Sequence, residues 1–214
     1  MELMIAMAIV AAMSGAIFMM VKMNYQTWQV SDAYMATSAE LRRGVDEMAK
    51  WLASTGAAKL NIDGDGDSLT FAVPYDIDGD PNGSVLNEAT GNLEWSDDAG
   101  GPGTITFFLD DADANGNGLI NEVIGSYPGE LLHPDDAAFE GVVVDRVLAN
   151  GVTNVDFSLP AGNTVELTLT VQRGTTSGDF PNQASLTTRV RLRNDYRQSH
   201  KPPVIPEKAG IEDG

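Results

Sequence analysis

Residues 3–21, LMIAMAIVAAMSGAIFMMV, contain no charged side chain. At about 1.5 Å of rise per residue, a helix of this run covers about 28 Å, close to the hydrocarbon thickness of a bilayer. From Lys22 the pattern turns amphipathic. Tyr34, Leu41, Val45, Met48 and Leu52 recur at helical spacing, with Asp32, Glu40, Arg42, Arg43, Asp46, Glu47 and Lys50 between them. No proline interrupts the segment, so one helix is predicted from residue 2 to about residue 53, about 75–80 Å long. Its first half is apolar all round and its second half has one face to pack on a domain. Gly56 ends the helical signal.

Beyond it the period changes to two. Leu69-Phe71-Val73, Ile105-Phe107-Leu109 and Val155-Phe157-Leu159 are short alternating runs. Two longer runs follow. In TVELTLTV, Val165, Leu167, Leu169 and Val171 share one face. In SLTTRVRLRN, Leu186, Val190 and Leu192 share one face, and Arg189, Arg191 and Arg193 the other. The turn-rich RGTTSGDFPNQA between them predicts a hairpin with a long loop in an antiparallel sheet. Three parts are therefore expected: a membrane-spanning or assembly helix over 1–53, a β-rich head over 54–199, and a Pro-rich extended tail over 200–214.

Composition sharpens this division. All nine methionines fall within residues 1–48, and all ten prolines at or after Pro74. A cleaved secretory signal would start basic and carry a shorter apolar run, whereas this one starts with Glu2. Lys22, taken alone, points that end of the run toward the cytoplasm, while the acidic domain after it reads as extracytoplasmic. The 13 Lys and Arg against 31 Asp and Glu give a net charge of −18, which argues against a nucleic-acid partner. The absence of cysteine excludes disulfides, thiolate metal sites and thiol nucleophiles. No phosphate-cradling glycine loop, serine elbow or distinguishable acid–base pair is present, so no enzymatic activity is expected.

Residues 60–145 hold 19 acids and not one Lys or Arg. Such a stretch repels itself, and a divalent cation offsets the repulsion. Asp111, Asp113 and Asn115 stand at positions 1, 3 and 5 of a twelve-residue loop, with Gly116 at 6, Asn117 at 7 and Glu122 at 12. That is the ligand spacing of an EF-hand-type loop, with Asn117 giving its backbone carbonyl, and it makes Ca²⁺ the expected cofactor. Position 8 is Gly118 rather than an apolar residue, and no helices flank the loop. Asp63, Asp65 and Asp67, and Asp76, Asp78 and Asp80, are weaker candidates without a Glu at position 12. A solvated turn rich in Asp, Asn and Gly is the alternative for all three.

The apolar start behind a lone glutamate, the long helix and the small β domain resemble type IV pilins and the pseudopilins of type II secretion. MELMIAMAIVAAMSGAIF resembles the N-terminal methylation segment of that superfamily, with Glu2-Leu3 at the place of its Glu-Leu pair. The resemblance implies a leader and about three residues preceding this pair. ELTLTVQRG, a loop and SLTTRVRLRN are similar to the final hairpin of PilW-like minor pilins, VVDRVLANGVTNVDFSL resembles the segment leading into that hairpin, and YDIDGD their acidic loops. The implied fold is α+β and pilin-like, a long N-terminal α-helix packed on an antiparallel sheet with calcium-type loops. The implied role is a structural subunit of a pilus-like filament, processed by a prepilin peptidase, held in the bacterial inner membrane beside an assembly platform, and then polymerised with other pilin subunits into an extracellular filament.

Under that resemblance Glu2 is the assembly residue, its carboxylate meeting the N-terminal amine of a neighbouring subunit. A charge inside hydrocarbon costs about 2.5–3.5 kcal/mol without such a partner. The alternative is a glutamate snorkelling at the membrane surface, where it also favours the helix dipole. Residues 3–21 would anchor the subunit and then pack on copies of themselves, or act as an ordinary anchor. The arginine strip is a solvated strand face paired with neighbouring acids, and a DNA contact is the minority reading. Trp28 and Trp51 are expected to be packing residues. Two rivals stand beside the pilus subunit: a type II secretion pseudopilin, and a membrane-anchored calcium-dependent adhesin or binding module.

Overall fold

A computed structural model of the chain describes residues 1–77, 84–87, 90, 92–113, 116–117, 119–134, 136–160, 163–173 and 182–192, and the side chains among them except those of Glu2, Arg173 and Asn182. Helix α1 runs unbroken from Glu2 to Leu52. Its 51 residues make about 77 Å, the length that the missing prolines allow. Thr55, just beyond it, donates its hydroxyl to the Ala72 carbonyl and pins the exit.

Eight strands follow: β1 (Leu60–Ile62), β2 (Ser68–Phe71), β3 (Ile105–Asp110), β4 (Glu122–Pro128), β5 (Val143–Asn150), β6 (Val152–Ser158), β7 (Thr164–Arg173) and β8 (Asn182–Arg191), with a single helical turn, α2 (Gly129–Leu132), after β4. They form two antiparallel meanders, β1-β2-β3-β4-β5 and β6-β7-β8, rather than one sheet. The architecture is thus α+β, a long apolar N-terminal helix with antiparallel sheets. The predicted hairpin is β7–β8, in register from Thr164 opposite Arg191 to Arg173 opposite Asn182.

The chain changes sheet at Gly151, whose φ of +67° is a left-handed value that glycine reaches without strain. A Cβ there would meet the Gln172 carbonyl at 3.0 Å. Two loops stitch the sheets together. Phe157 N donates to the Gly66 carbonyl at 2.8 Å, and Val152 N to the Asn121 carbonyl at 2.7 Å.

The C-terminal half of α1 packs on β5, β7 and β8. Thr37, Leu41, Gly44, Val45, Met48 and Leu52 form its buried stripe. Tyr34, expected in that stripe, is exposed, and Thr37 opens it instead with its hydroxyl donated to Ala33 O at 2.8 Å. Glu40 ties the helix to β5 by accepting from Asn150 N at 2.9 Å and Asn150 Nδ2 at 3.0 Å. The helix residues join Val165, Leu167, Leu169 and Val171 of β7 and Leu69, Phe71, Ile105 and Phe107 of β2 and β3 in one core. A row of rings crosses it, Trp51 to Tyr127 at 5.3 Å, Tyr127 to Phe107 at 6.1 Å and Phe107 to Phe71 at 5.1 Å. The Tyr127 ring covers Gly125, where a Cβ would lie 2.6 Å from its hydroxyl. Burial, with a smaller push from the Glu47 charge, raises the Tyr127 pKa and keeps the phenol neutral. Of the predicted inward positions, Leu109 and Leu186 are half-buried, and Leu159 lies past the end of β6 and is exposed.

Candidate functional site

Two features stand apart from ordinary head-domain packing: the bare half of α1 and the acidic loops. Every described side chain from Leu3 to Trp28 is exposed. Apolar residues surround the axis: Leu3, Met7, Val10 and Ile17 on one side, and Ile5, Ile9, Met13 and Met20 on others, each at least 55 % exposed. Covering one such side chain yields about 1.5–3 kcal/mol. The whole rod therefore stores tens of kcal/mol that only lipid or another apolar surface recovers. By length and composition this helix suits a membrane span or a signal sequence. Ala8, Ala12 and Ala16 recur every fourth residue, and Ala11 and Gly15 form a second such pair. Nothing lies within 4 Å of where a Gly15 Cβ would stand, so the small positions leave room for a close neighbour. Glu2 is the first residue of the rod, and its side chain lies outside the described residues. Trp51 packs in the core as expected, whereas Trp28 is exposed and stacks on Tyr25 alone among the ring contacts described.

The EF-hand-like segment is the connection between β3 and β4. Asp113 (φ 57°), Gly116 (φ 69°) and Asn121 (φ 63°) turn it through left-handed conformations that Asp, Asn and Gly tolerate. Asp111 and Asn117 are exposed, Asp113 is half-buried, and Glu122 is buried at the foot of β4. Asn117 Nδ2 donates to Glu122 Oε2 at 2.8 Å, so positions 7 and 12 of the loop are joined. Asn115 lies outside the described residues. The pattern did not reveal Asp110. It faces Glu122 across the β3–β4 ladder, 2 % exposed, and accepts from Ala112 N at 3.2 Å. Its one sequence signal is the doublet with Asp111.

The Asp63–Asp67 segment is the β1–β2 turn. Asp63 Oδ1 accepts from Gly66 N at 2.8 Å. Asp67 is raised above the ordinary carboxylate value, first by its side-chain hydrogen bond with Asp63, then by desolvation and the charges of Asp63 and Asp65. At Asp63 desolvation pushes upward, but the bonds from Asp67 and from backbone N–H groups outweigh it and lower the value. Asp65 acts on Asp67 through its charge and on Asp63 through its backbone N–H. Of the third candidate, Asp76 is half-buried, and Asp78 and Asp80 lie outside the described residues. Among the described residues, no three His, Asp or Glu side chains converge closely enough to hold a metal ion.

No protein-family model, curated protein or solved structure matches this chain. The remaining charged groups act as fasteners. Glu94, 7 % exposed, accepts from Ile77 N at 2.9 Å and Asn87 Nδ2 at 2.8 Å, holding the long excursion between β2 and β3. Lys59 bridges Asp97 at 2.7 Å and Asp98 at 2.9 Å, which lowers the Asp98 pKa. Arg189 meets Glu166 at 2.6 Å across the β7–β8 ladder, the paired strand face expected of the arginine strip. Arg191 is exposed, and Arg193 lies outside the described residues.

Proposed function

We propose that this chain is a structural subunit of a type IV pilus-like filament, a PilW-like minor pilin or a shaft subunit, held in the inner membrane before assembly. The observation that carries this reading is a helix without a break, whose first half is apolar on all sides and exposed, covered by no other described part of the chain, while its second half is seated in a two-sheet head. A free rod of this kind has lipid and its own copies as the natural covers. The small-residue positions between Ala8 and Ala16 favour helix on helix beyond simple anchoring. Repeated head-to-tail contacts of that kind extend into an open helix. Processing by a prepilin peptidase and extrusion by an assembly platform belong to this reading, and Glu2 is its assembly residue.

The test is to image material sheared from cells that make the full chain together with a pilin assembly apparatus. Filaments containing the chain are expected. Glu2→Ala is expected to lower incorporation at least tenfold while leaving the membrane-bound pool unchanged. Single membrane-anchored molecules in the unaltered protein would overturn the proposal and favour the anchored binding module.

Calcium at the acidic loops is the second part of the proposal. Its support is the loop spacing of Asp111, Asp113, Asn115, Asn117 and Glu122, the tie between Asn117 and Glu122, and the crowded Asp63–Asp67 pair. Saturating Ca²⁺ at 10–100 times its Kd would add about 1.4–2.7 kcal/mol to stability. For a domain of this size that is a rise of about 3–10 °C in melting temperature, reversed by chelator. Asp113→Asn should remove most of the rise. Asp67→Asn should raise the melting temperature in chelator, since it keeps a hydrogen bond to Asp63 and deletes the repulsion. A melt indifferent to Ca²⁺ and chelator would sink the calcium part and leave the filament part standing.

A further inference from the structure

Between the rod and the seated part of α1 lies a stretch that neither explains. Residues 22–36 follow the uncharged run and precede Thr37, the first buried residue of the helix. Tyr25 and Trp28 sit there, 58 % and 62 % exposed, with their rings stacked at 6.3 Å and 28°. No described part of the head covers them.

We infer that Tyr25 and Trp28 form an aromatic anchor in the phospholipid headgroup layer, which fixes how deeply α1 sits and holds the acidic head clear of the bilayer. The inference rests on the membrane-inserted state proposed above. The uncharged run fills the hydrocarbon with about 28 Å of helix, and Lys22, the first charge, marks its edge. Tyr25 stands about 6 Å beyond Val21 along the axis, and Trp28 about 10 Å. Helical side chains lean toward the N-terminus, so both rings sit below their own Cα atoms and the indole rests one turn above the tyrosine ring, 6.3 Å from it. Both rings then fall in the headgroup layer, about 5–8 Å thick on each side. Tyr and Trp belong there, with an apolar body against the acyl boundary and a polar tip in water. Thr27, between them, donates its hydroxyl to Met23 O at 2.9 Å and adds no unsatisfied donor.

Charge explains the spacing. From Trp28 to Thr37, the first fully buried residue of the helix, is nine residues, about 14 Å along the axis, and Gln29, Val30, Ala33 and Ala36 between them are half-buried. That exceeds the Debye length of about 8 Å at physiological ionic strength. The acid-rich segment 60–145, which holds no Lys or Arg of its own, follows the seated part of the helix and is thus carried away from anionic headgroups.

The experiment uses the full chain reconstituted in phosphatidylcholine–phosphatidylglycerol vesicles. The emission of the unaltered protein minus that of Trp28→Phe isolates Trp28 without touching the core. Lipids labelled with a quencher at a shallow acyl position should quench this component at least twofold more than lipids labelled near the chain end, and acrylamide in the water phase should quench it less than it quenches free N-acetyltryptophanamide in the same buffer. Equal acrylamide quenching with no response to labelled lipid, in protein that survives alkaline extraction, would overturn the anchor and leave membrane insertion intact. Strongest quenching by the chain-end label would also overturn it. Loss of the protein on alkaline extraction would overturn membrane insertion, and the anchor with it.

Discussion

A chain beginning at residue 29 is expected to fold into an unchanged head and to remain monomeric in buffer without detergent, where the full chain aggregates or requires lipid. Every described side chain before Gln29 is exposed, so the deletion takes no contact from the core. It does remove more than ten large apolar side chains from water, each worth about 1.5–3 kcal/mol of drive toward association. The shortened helix keeps Thr37, Leu41, Val45, Met48 and Leu52, the positions that seat it. Size-exclusion chromatography and a thermal melt check both halves of the claim. The melting temperature should stay within about 2 °C of the full chain in detergent. A shortened chain that aggregates or loses its sheet signal in circular dichroism would show that the rod supports the head.

The second large effect is expected at Gly44. The helix lies close against the sheets there: a Cβ at this position would fall 2.9 Å from Ala149 Cβ, 3.3 Å from Leu169 Cδ2 and 3.5 Å from the Leu148 carbonyl. Gly44→Leu has no room in this seam. It must lift α1 off β5 and β7, and the Glu40–Asn150 bonds one turn away go with it. A loss of about 3 kcal/mol or more follows, or about 6–12 °C in melting temperature. A double-mutant cycle isolates the cause. Gly44→Ala gains about 1 kcal/mol of helix propensity and loses contact space, and Ala149→Gly returns that space. The pair should be more stable than the sum of the single changes by at least about 0.5 kcal/mol. Additive values would place the strain elsewhere.

Gly44 also shows what could be read from the chain and what could not. The long helix was legible because nothing in residues 2–52 opposes it and a charge-free run followed by a helical stripe has one reading. The stripe itself was read from large side chains, so it missed Thr37 and Gly44, small positions on the seated face, and included Tyr34, which faces solvent. The β7–β8 hairpin was legible because each strand alternates cleanly, one face in the core and one in water. Strand β4 was not, since Glu122-Val-Ile-Gly-Ser-Tyr-Pro is buried along nearly its whole length and carries no alternation. The division into two sheets turns on the backbone at Gly151, one of 22 glycines in the chain.

The acidic loops divide in the same way. Residue spacing singled out the β3–β4 and β1–β2 connections as candidate calcium loops, and their described residues link neighbouring antiparallel strands. It could not say which of 19 acids leave the water. Asp110, Glu122 and Glu94 do, because strand register and the fold of a long excursion carry them inward, and composition contains neither.

The unbroken backbone of α1 has a mechanical consequence. A pull on the rod runs along its axis, through hydrogen bonds that lie nearly parallel to the load, and enters the head at the stripe from Thr37 to Leu52. There the force acts in shear. Leu41, Val45, Met48, Leu52 and the Glu40–Asn150 clasp resist together rather than yielding one after another. Peeling would need a hinge, and the helix has none between its apolar end and its seat.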